Sequence, residues 1–257
     1  MRVGCHHMTI RDKPIRLDLA LVERGLAPSR SQARDLIRRA AVSVAGITAT
    51  RPGAAISATD AVTIADGAAG WVSRGALKLL AALDNLAFDA AGRVALDVGA
   101  STGGFTQVLL QRGVRRVYAV DVGHGQLHAT LAADPRVADL SGCDARMITR
   151  EHVPERIDAI VADVSFISLA KALPAALALA APGCWLVALV KPQFEAGRAA
   201  VGKGGVVRDA ADRERALVMV CDWFGGLAGW RVTGSMPSPI AGGSGNQEFL
   251  VGAMRDA

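Results

Sequence analysis

The sequence predicts a doubly wound α/β sheet preceded by a small α+β module, and three observations carry that reading. Four short, Val-rich apolar stretches recur, VALDV (94–98), VYAVDV (117–122), AIVADV (159–164) and WLVALV (185–190), separated by helical segments. Parallel strands buried on both faces have this character. The first stretch runs directly into a glycine-rich turn. Charge is also segregated: residues 1–55 hold ten Lys plus Arg and four acids, net +6, while the remainder holds 19 and 20, net −1. A chain of 257 residues, 51% hydrophobic and 21% charged, has ample material for a core and is not a mostly disordered polymer.

The expected domains are a module over residues 14–66, a linker over 67–72 and a sheet domain over 73–257. Within the module, Leu17 to Arg24 has helical apolar spacing and stops at Gly25. Ser29 and Gln32 have capping-box spacing, and Ala33, Leu36, Ile37 and Ala40 follow as the core face of a second helix. Arg30, Arg34 and Arg38 line another face at i, i+4 and i+8, with Arg39 beside them and only Asp35 as a nearby partner. Like charges stacked this way call for an anion, so a polyanion is expected, although a solvated basic face has the same pattern. VSVAG and AVTIA read as short strands around the turn at Arg51-Pro52-Gly53.

In the second domain, the 19 uncharged residues between Lys171 and Lys191 approach the length of a membrane span. Pro174 and Pro182-Gly183 interrupt them, and seven of the 19 are Ala. A helix to about Ala181, a turn and a buried strand fit better. WRVTGSM and EFLVGAM are expected to close the sheet edge as an antiparallel pair. Cys5, Cys143, Cys184 and Cys221 form no C-x-x-C pair, so reduced thiols in a cytoplasmic protein are expected, with no metal site. Residues 1–14 are basic but lack the apolar run of a signal peptide, and His6 and His7 have no partner at ligand spacing.

The strongest local motif is Asp97-Val98-Gly99-Ala100-Ser101-Thr102-Gly103-Gly104-Phe105-Thr106. Its glycines permit a tight turn and close approach of a ligand to backbone N–H groups. The motif is neither G-x-G-x-x-G nor a P-loop, so the nicotinamide and nucleoside-triphosphate fingerprints are missing. Asp97 suits a cationic amino group, such as the methionine part of S-adenosylmethionine. Asp121, ending the second strand, suits ribose hydroxyls, and Asp144 in SGCDARM suits an adenine amino group. Asp163 and Lys191 end two further strands and open onto the same crevice. A Lys directly after six apolar residues is partly desolvated, which suits acid/base work or charge positioning; a surface ion pair fits the same spacing.

These residues make the sequence resemble the TlyA (hemolysin A) family, an S4 RNA-binding domain fused to an FtsJ-like ribose 2′-O-methyltransferase. The resemblance is carried by RLDLALVERGLAPSRSQARDLIRRAAVSVAG, WVSRGALKL, LDVGASTGGFT, VADVSFISL, LVKPQFEAGR, VGKGGVVRD and GNQEFL, in that order, from Arg16 to about Val251. It implies a Rossmann-like methyltransferase sheet, S-adenosylmethionine as cofactor, and binding of that cofactor by Asp97, Gly99, Ser101, Thr102, Gly103, Gly104, Phe105, Asp121 and Asp144. It also implies a catalytic tetrad, read here as Lys78, Asp163, Lys191 and Glu248. Lys191 is then the expected base, Lys78 a neighbouring like charge, Asp163 the orienting group, and Glu248 the partner of Lys78 or of the ribose. No metal is required, because the leaving group departs neutral.

The resemblance further implies ribosomal RNA or ribosomal subunits as partner and a cytidine 2′-hydroxyl as target. Arg16, Arg30, Arg34, Arg38 and Arg39 are the expected phosphate contacts of the module. Arg74, Lys203 and Arg208 are expected to hold the target strand, although the loop Gly202–Arg208 also reads as a flexible glycine turn. Two departures stand out: VSVAG carries no basic residue, and residues 1–14 fit no part of the pattern. A monomer is favoured. The alternatives are an RNA-binding assembly factor with an inactive methyltransferase domain, and a membrane-active hemolysin, against which the lack of a spanning segment argues.

Overall fold

The computed structural model describes residues 14–38, 41–64, 70–242 and 245–257, and divides into two compact units, Met1–Trp71 and Val72–Ala257. Arg39, Ala40, the head with Cys5, His6 and His7, and the start of the expected linker lie outside the described residues.

In the first unit β1 (Ile15–Arg16) leads into α1 (Leu17–Glu23), which stops at Gly25 with φ +68°. α2 (Arg30–Arg38) starts under the Ser29 hydroxyl, which accepts a hydrogen bond from Gln32 N at 3.3 Å. Ala33, Leu36 and Ile37 are buried, as their spacing predicts. Four strands follow: β2 (Val42–Val44), β3 (Ile47–Ala49), β4 (Ala55–Ile56) and β5 (Val62–Ile64). β2 pairs antiparallel with β3 and β5, while β4 pairs with β1. β1, β3 and β4 are two or three residues long, too short for alternation to announce them.

The second unit runs α3 (Gly75–Asn85), β6 (Val94–Val98), α4 (Gly104–Gln111), β7 (Arg116–Asp121), α5 (Ala129–Ala132), β8 (Val137–Ser141) and β9 (Ile157–Ala162). Then come α6 (Leu169–Ala172), α7 (Pro174–Ala178), β10 (Ala180–Val190), α8 (Pro192–Glu195), α9 (Ala210–Gly225), β11 (Trp230–Pro237) and β12 (Phe249–Arg255). The seven-stranded sheet has the order β11-β12-β10-β9-β6-β7-β8. β8 to β10 pair in parallel through β7, β6 and β9; β12 pairs antiparallel with β10 and β11. The mixed α/β architecture and the closing antiparallel pair are those the sequence predicts.

One boundary differs. The helix expected to reach about Ala181 ends at Ala178, and β10 begins at Ala180, with a register shift between Ala180 and Trp185. Pro182 has no N–H to donate and Gly183 sits at φ +76°, so the strand is bent there instead of being preceded by a turn. Every residue of β6, and Trp185–Val190 of β10, is buried. At about 1.5–3 kcal/mol per fully buried large apolar side chain, this core dominates the unit's stability. The chain runs outward from β6 on both sides, to β7 and β8 one way and to β9 and β10 the other. The switch point therefore falls beside β6, where α/β sheets bind ligands at their carboxyl edge. Among the described residues no helix is long and apolar enough to cross a membrane.

Candidate active site

The turn after β6 is shaped by steric demands. Gly99 has φ +85°, and a Cβ there would lie 2.6 Å from the Asp163 carbonyl oxygen on the neighbouring strand end. At Gly104, the first residue of α4, a Cβ would lie 2.1 Å from Ser73 Oγ. Gly103 (φ +94°) faces α5, where its Cβ would meet Leu131, so it shapes the turn without lining a cavity. Ser101 is held at φ +48°, and its N–H donates to Asp121 Oδ2 at 2.8 Å.

Two adjoining cavities open along the carboxyl edge. One, of about 370 Å³, is lined by Gly99, Ser101, Asp121, Val122, Gln126 and Asp144, with Arg146 and residues 163–167 opposite. The other, of about 250 Å³, is lined by Ser73, Arg74, Lys78, Thr102, Gly104 and Phe105, with Asp163, Ser165 and Lys191. They share Gly99, Ser101, Asp163 and Ser165.

The acids differ in environment. Asp97 is fully buried beneath the turn and lines neither cavity. Its Oδ2 accepts from Thr106 Oγ1 at 2.7 Å, and its Oδ1 has no partner. Burial pushes its pKa up to about 7, against the Thr106 hydrogen bond and with help from the nearby Asp163 and Asp121. Asp121 accepts from Ser101 N and, at 2.7 Å, from Gly123 N, which fixes its carboxylate at the cavity wall. Asp144 lines the cavity but is gripped by Arg146, whose guanidinium holds its pKa down at about 2.

The four expected catalytic residues form two pairs. Lys78 Nζ, on α3, lies 2.5 Å from Glu248 Oε2, and both side chains are buried. Lys191 Nζ lies 2.7 Å from Asp163 Oδ1, an ionic contact without hydrogen-bond geometry, since Oδ1 accepts no hydrogen bond. The hydrogen bond of Lys191 goes to Ser165 Oγ at 2.7 Å. Lys78, Asp163 and Lys191 line the smaller cavity together; Glu248 stands behind Lys78. Of the two partners expected for Glu248, Lys78 or the ribose, the structure pairs it with Lys78.

The loop Gly202–Arg208 is anchored. Asn246, 1% exposed, accepts from Val207 N and donates to Gly205 O, both at 2.9 Å, two residues before Glu248. Lys203 and Arg208 are exposed on it, and Arg74 lines the smaller cavity. In the first unit, the expectation that only Asp35 could partner the basic helix face is overturned. Asp18 of α1, fully covered, receives Arg16 at 3.0 Å, Arg30 at 3.0 Å and Arg34 at 2.9 Å. Asp18 lies 12 and 16 residues from Arg30 and Arg34, so no local spacing rule reveals it. Arg38 is exposed.

Sequence reading missed Ser165, Phe166, Gln126 and Asn246. Ser165 and Phe166 follow Asp163 within VADVSF, and Asn246 sits in GNQEF, so adjacency to a predicted catalytic residue was the available signal. Phe166 is 91% exposed at φ +66° on the wall of the larger cavity.

Residues 71–255 match the FtsJ-like methyltransferase family and residues 15–62 match the S4 domain. The chain belongs to the FtsJ-like methyltransferase family. As an FtsJ-like chain with an S4 domain, it is 49% identical over 237 residues to the 16S/23S rRNA (cytidine-2′-O)-methyltransferase TlyA of Mycobacterium tuberculosis, covering 92% of this chain and 88% of that one. It is 38% identical to Hemolysin A of Brachyspira hyodysenteriae, covering 92% and 98%. A solved Streptococcus thermophilus structure described as a hemolysin superimposes with a TM-score of 0.72 at 37% identity, over 95% of this chain and 89% of that one.

Proposed function

We propose that this FtsJ-like enzyme transfers a methyl group from S-adenosylmethionine to a cytidine ribose 2′-hydroxyl of ribosomal RNA. The observation that carries the reading is the meeting of Lys78, Asp163 and Lys191 at one cavity wall, directly against the glycine turn. Similarity to the relative named for cytidine 2′-O-methylation supports the substrate.

The residues fit the cofactor. Asp97, whose carboxylate oxygen is orphaned beneath the turn, favours a cationic amino group electrostatically without lining the cavity, and Gly99 leaves backbone exposed where any side chain would collide. Asp121 keeps lone pairs at the cavity wall for ribose hydroxyls, whereas Asp144 is committed to Arg146 and would have to share. S-adenosylmethionine supplies a methyl group on a positively charged sulfur.

Lys191, when neutral, accepts the 2′-hydroxyl proton as that oxygen becomes a nucleophile, and its ammonium is then balanced by Asp163. Ser165 takes one N–H of Lys191 and so limits its rotation. Lys78, held by Glu248, presents a fixed positive charge to the ribose. Phe166 offers an exposed ring on which a base can stack. A ribosomal substrate puts the work in the cytoplasm, without a membrane partner.

The test is the chemical position of the methyl group. Nuclease and phosphatase digestion of modified ribosomal RNA should yield 2′-O-methylcytidine. A base-methylated nucleoside would refute the ribose reading.

A further inference from the structure

The cluster around Asp18 is over-built for an ion pair. One carboxylate balances one cation, yet three arginines converge on it from two elements, an excess of two positive charges among the described side chains of the cluster. Their side chains remain 47, 45 and 41% exposed, so water screens much of the attraction and the cluster is a poor device for stability alone. Asp18 itself is fully covered, and the covering groups include the guanidiniums it binds.

The bonding pattern points outward. Arg30 and Arg34 each reach Asp18 Oδ2 through Nε, and Arg16 uses Nε and Nη2. Among the described residues no hydrogen bond engages Arg16 Nη1 or the terminal nitrogens of Arg30 and Arg34. Those terminal nitrogens are the donors that grip phosphate oxygens. Arg16 is fixed a second way: a Cβ on Gly53 would lie 3.1 Å from its Nη1, so the turn at 51–53 packs against the guanidinium.

We propose that Asp18 is a positioning residue that holds Arg16, Arg30 and Arg34 as a fan of guanidinium groups for a backbone phosphate of RNA. This rests on the reading of RNA as partner. Holding three long side chains in place before binding removes part of the ordering cost that flexible arginines carry. The assignment makes a counter-intuitive statement: removing a negative charge from this surface weakens its hold on a polyanion.

The experiment measures binding of full-length wild type and Asp18→Asn to purified ribosomal RNA over a salt series, with S-adenosylmethionine affinity and the thermal midpoint measured alongside. Asp18→Asn should bind RNA about tenfold more weakly, the scale of one lost charge-assisted contact. Its log–log salt slope should fall by about one, and cofactor affinity should not change. Equal or tighter RNA binding by folded Asp18→Asn would overturn the proposal. If Asp18→Asn does not fold, Arg30→Gln and Arg34→Gln replace it, since each leaves Asp18 two partners. Weakened binding with a reduced slope in both supports the fan, and unchanged binding in both refutes it. Because the readout is binding, a wild type that holds RNA but transfers no methyl would defeat the enzymatic reading and leave this one standing. A wild type that does not bind RNA would defeat both.

Discussion

At the scale of single residues, Asp97 is the group whose chemistry the environment changes most. Its pKa of about 7 in the folded chain exceeds the ordinary 3.8, so this carboxyl contributes stability in full below about pH 4 and loses that contribution as pH rises through 7. Without cofactor, wild type should therefore lose stability relative to Asp97→Asn between pH 4 and 7, which thermal melts across that range would check. A cationic amino group favours the ionised form, so S-adenosylmethionine affinity should rise with pH up to about 7, and calorimetry below pH 7 should show proton release on binding. Asp97→Asn should abolish both effects. The sequence placed Asp97 correctly after VAL, in a strand buried throughout; its burial under the turn depends on how α4 and Thr106 fold back over it, which periodicity does not report. Asp18 was illegible for a related reason, since its partners are far along the chain.

Among the elements, the turn from β6 to α4 is the most constrained. Gly99→Ala drives a methyl group into the Asp163 backbone, at a position with φ +85° where L side chains are strained by about 1–3 kcal/mol before any clash. Gly104→Ala displaces chiefly Ser73 Oγ, a side chain that can rotate. Thermal denaturation should rank Gly99→Ala as the more damaging, with cofactor affinity falling in the same order; the reverse ranking would count against the turn geometry. The loop Gly202–Arg208 shows what composition hides. Its glycines suggest a free turn, yet Val207 is buried and Asn246 ties two of its backbone groups. Asn246→Ala should leave those groups unpaired, at about 1–3 kcal/mol each when buried, and open the loop to proteolysis near Lys203. The parallel strands were legible because burial on both faces writes Val-rich runs into the sequence, while β8, half exposed at the sheet edge, carries no such run.

For the molecule as a whole, the division of charge matches a division of labour. The module that holds most of the net charge carries the arginine fan, and the near-neutral second unit carries the two Lys–carboxylate pairs. RNA affinity should fall steeply with salt while S-adenosylmethionine affinity changes little, a contrast that parallel titrations at two or three salt concentrations would expose. The buried Lys78–Glu248 pair joins α3 to the start of β12, so Glu248→Ala should cost stability, about 3–5 kcal/mol for an uncompensated buried charge, as well as activity. That double effect makes it a poor probe of chemistry. Lys191, whose side chain is 11% exposed at the cavity and which bonds to Ser165 and Asp163, is the cleaner one. The most direct measurement is transfer of labelled methyl from S-adenosylmethionine to ribosomal subunits lacking the modification, by wild type and by Lys191→Ala. Label in RNA from wild type with at least about a hundredfold loss in the variant, the lower end of a general base's contribution, is the predicted result. No transfer by wild type that still binds RNA would contradict the account and leave an RNA-binding assembly factor in its place.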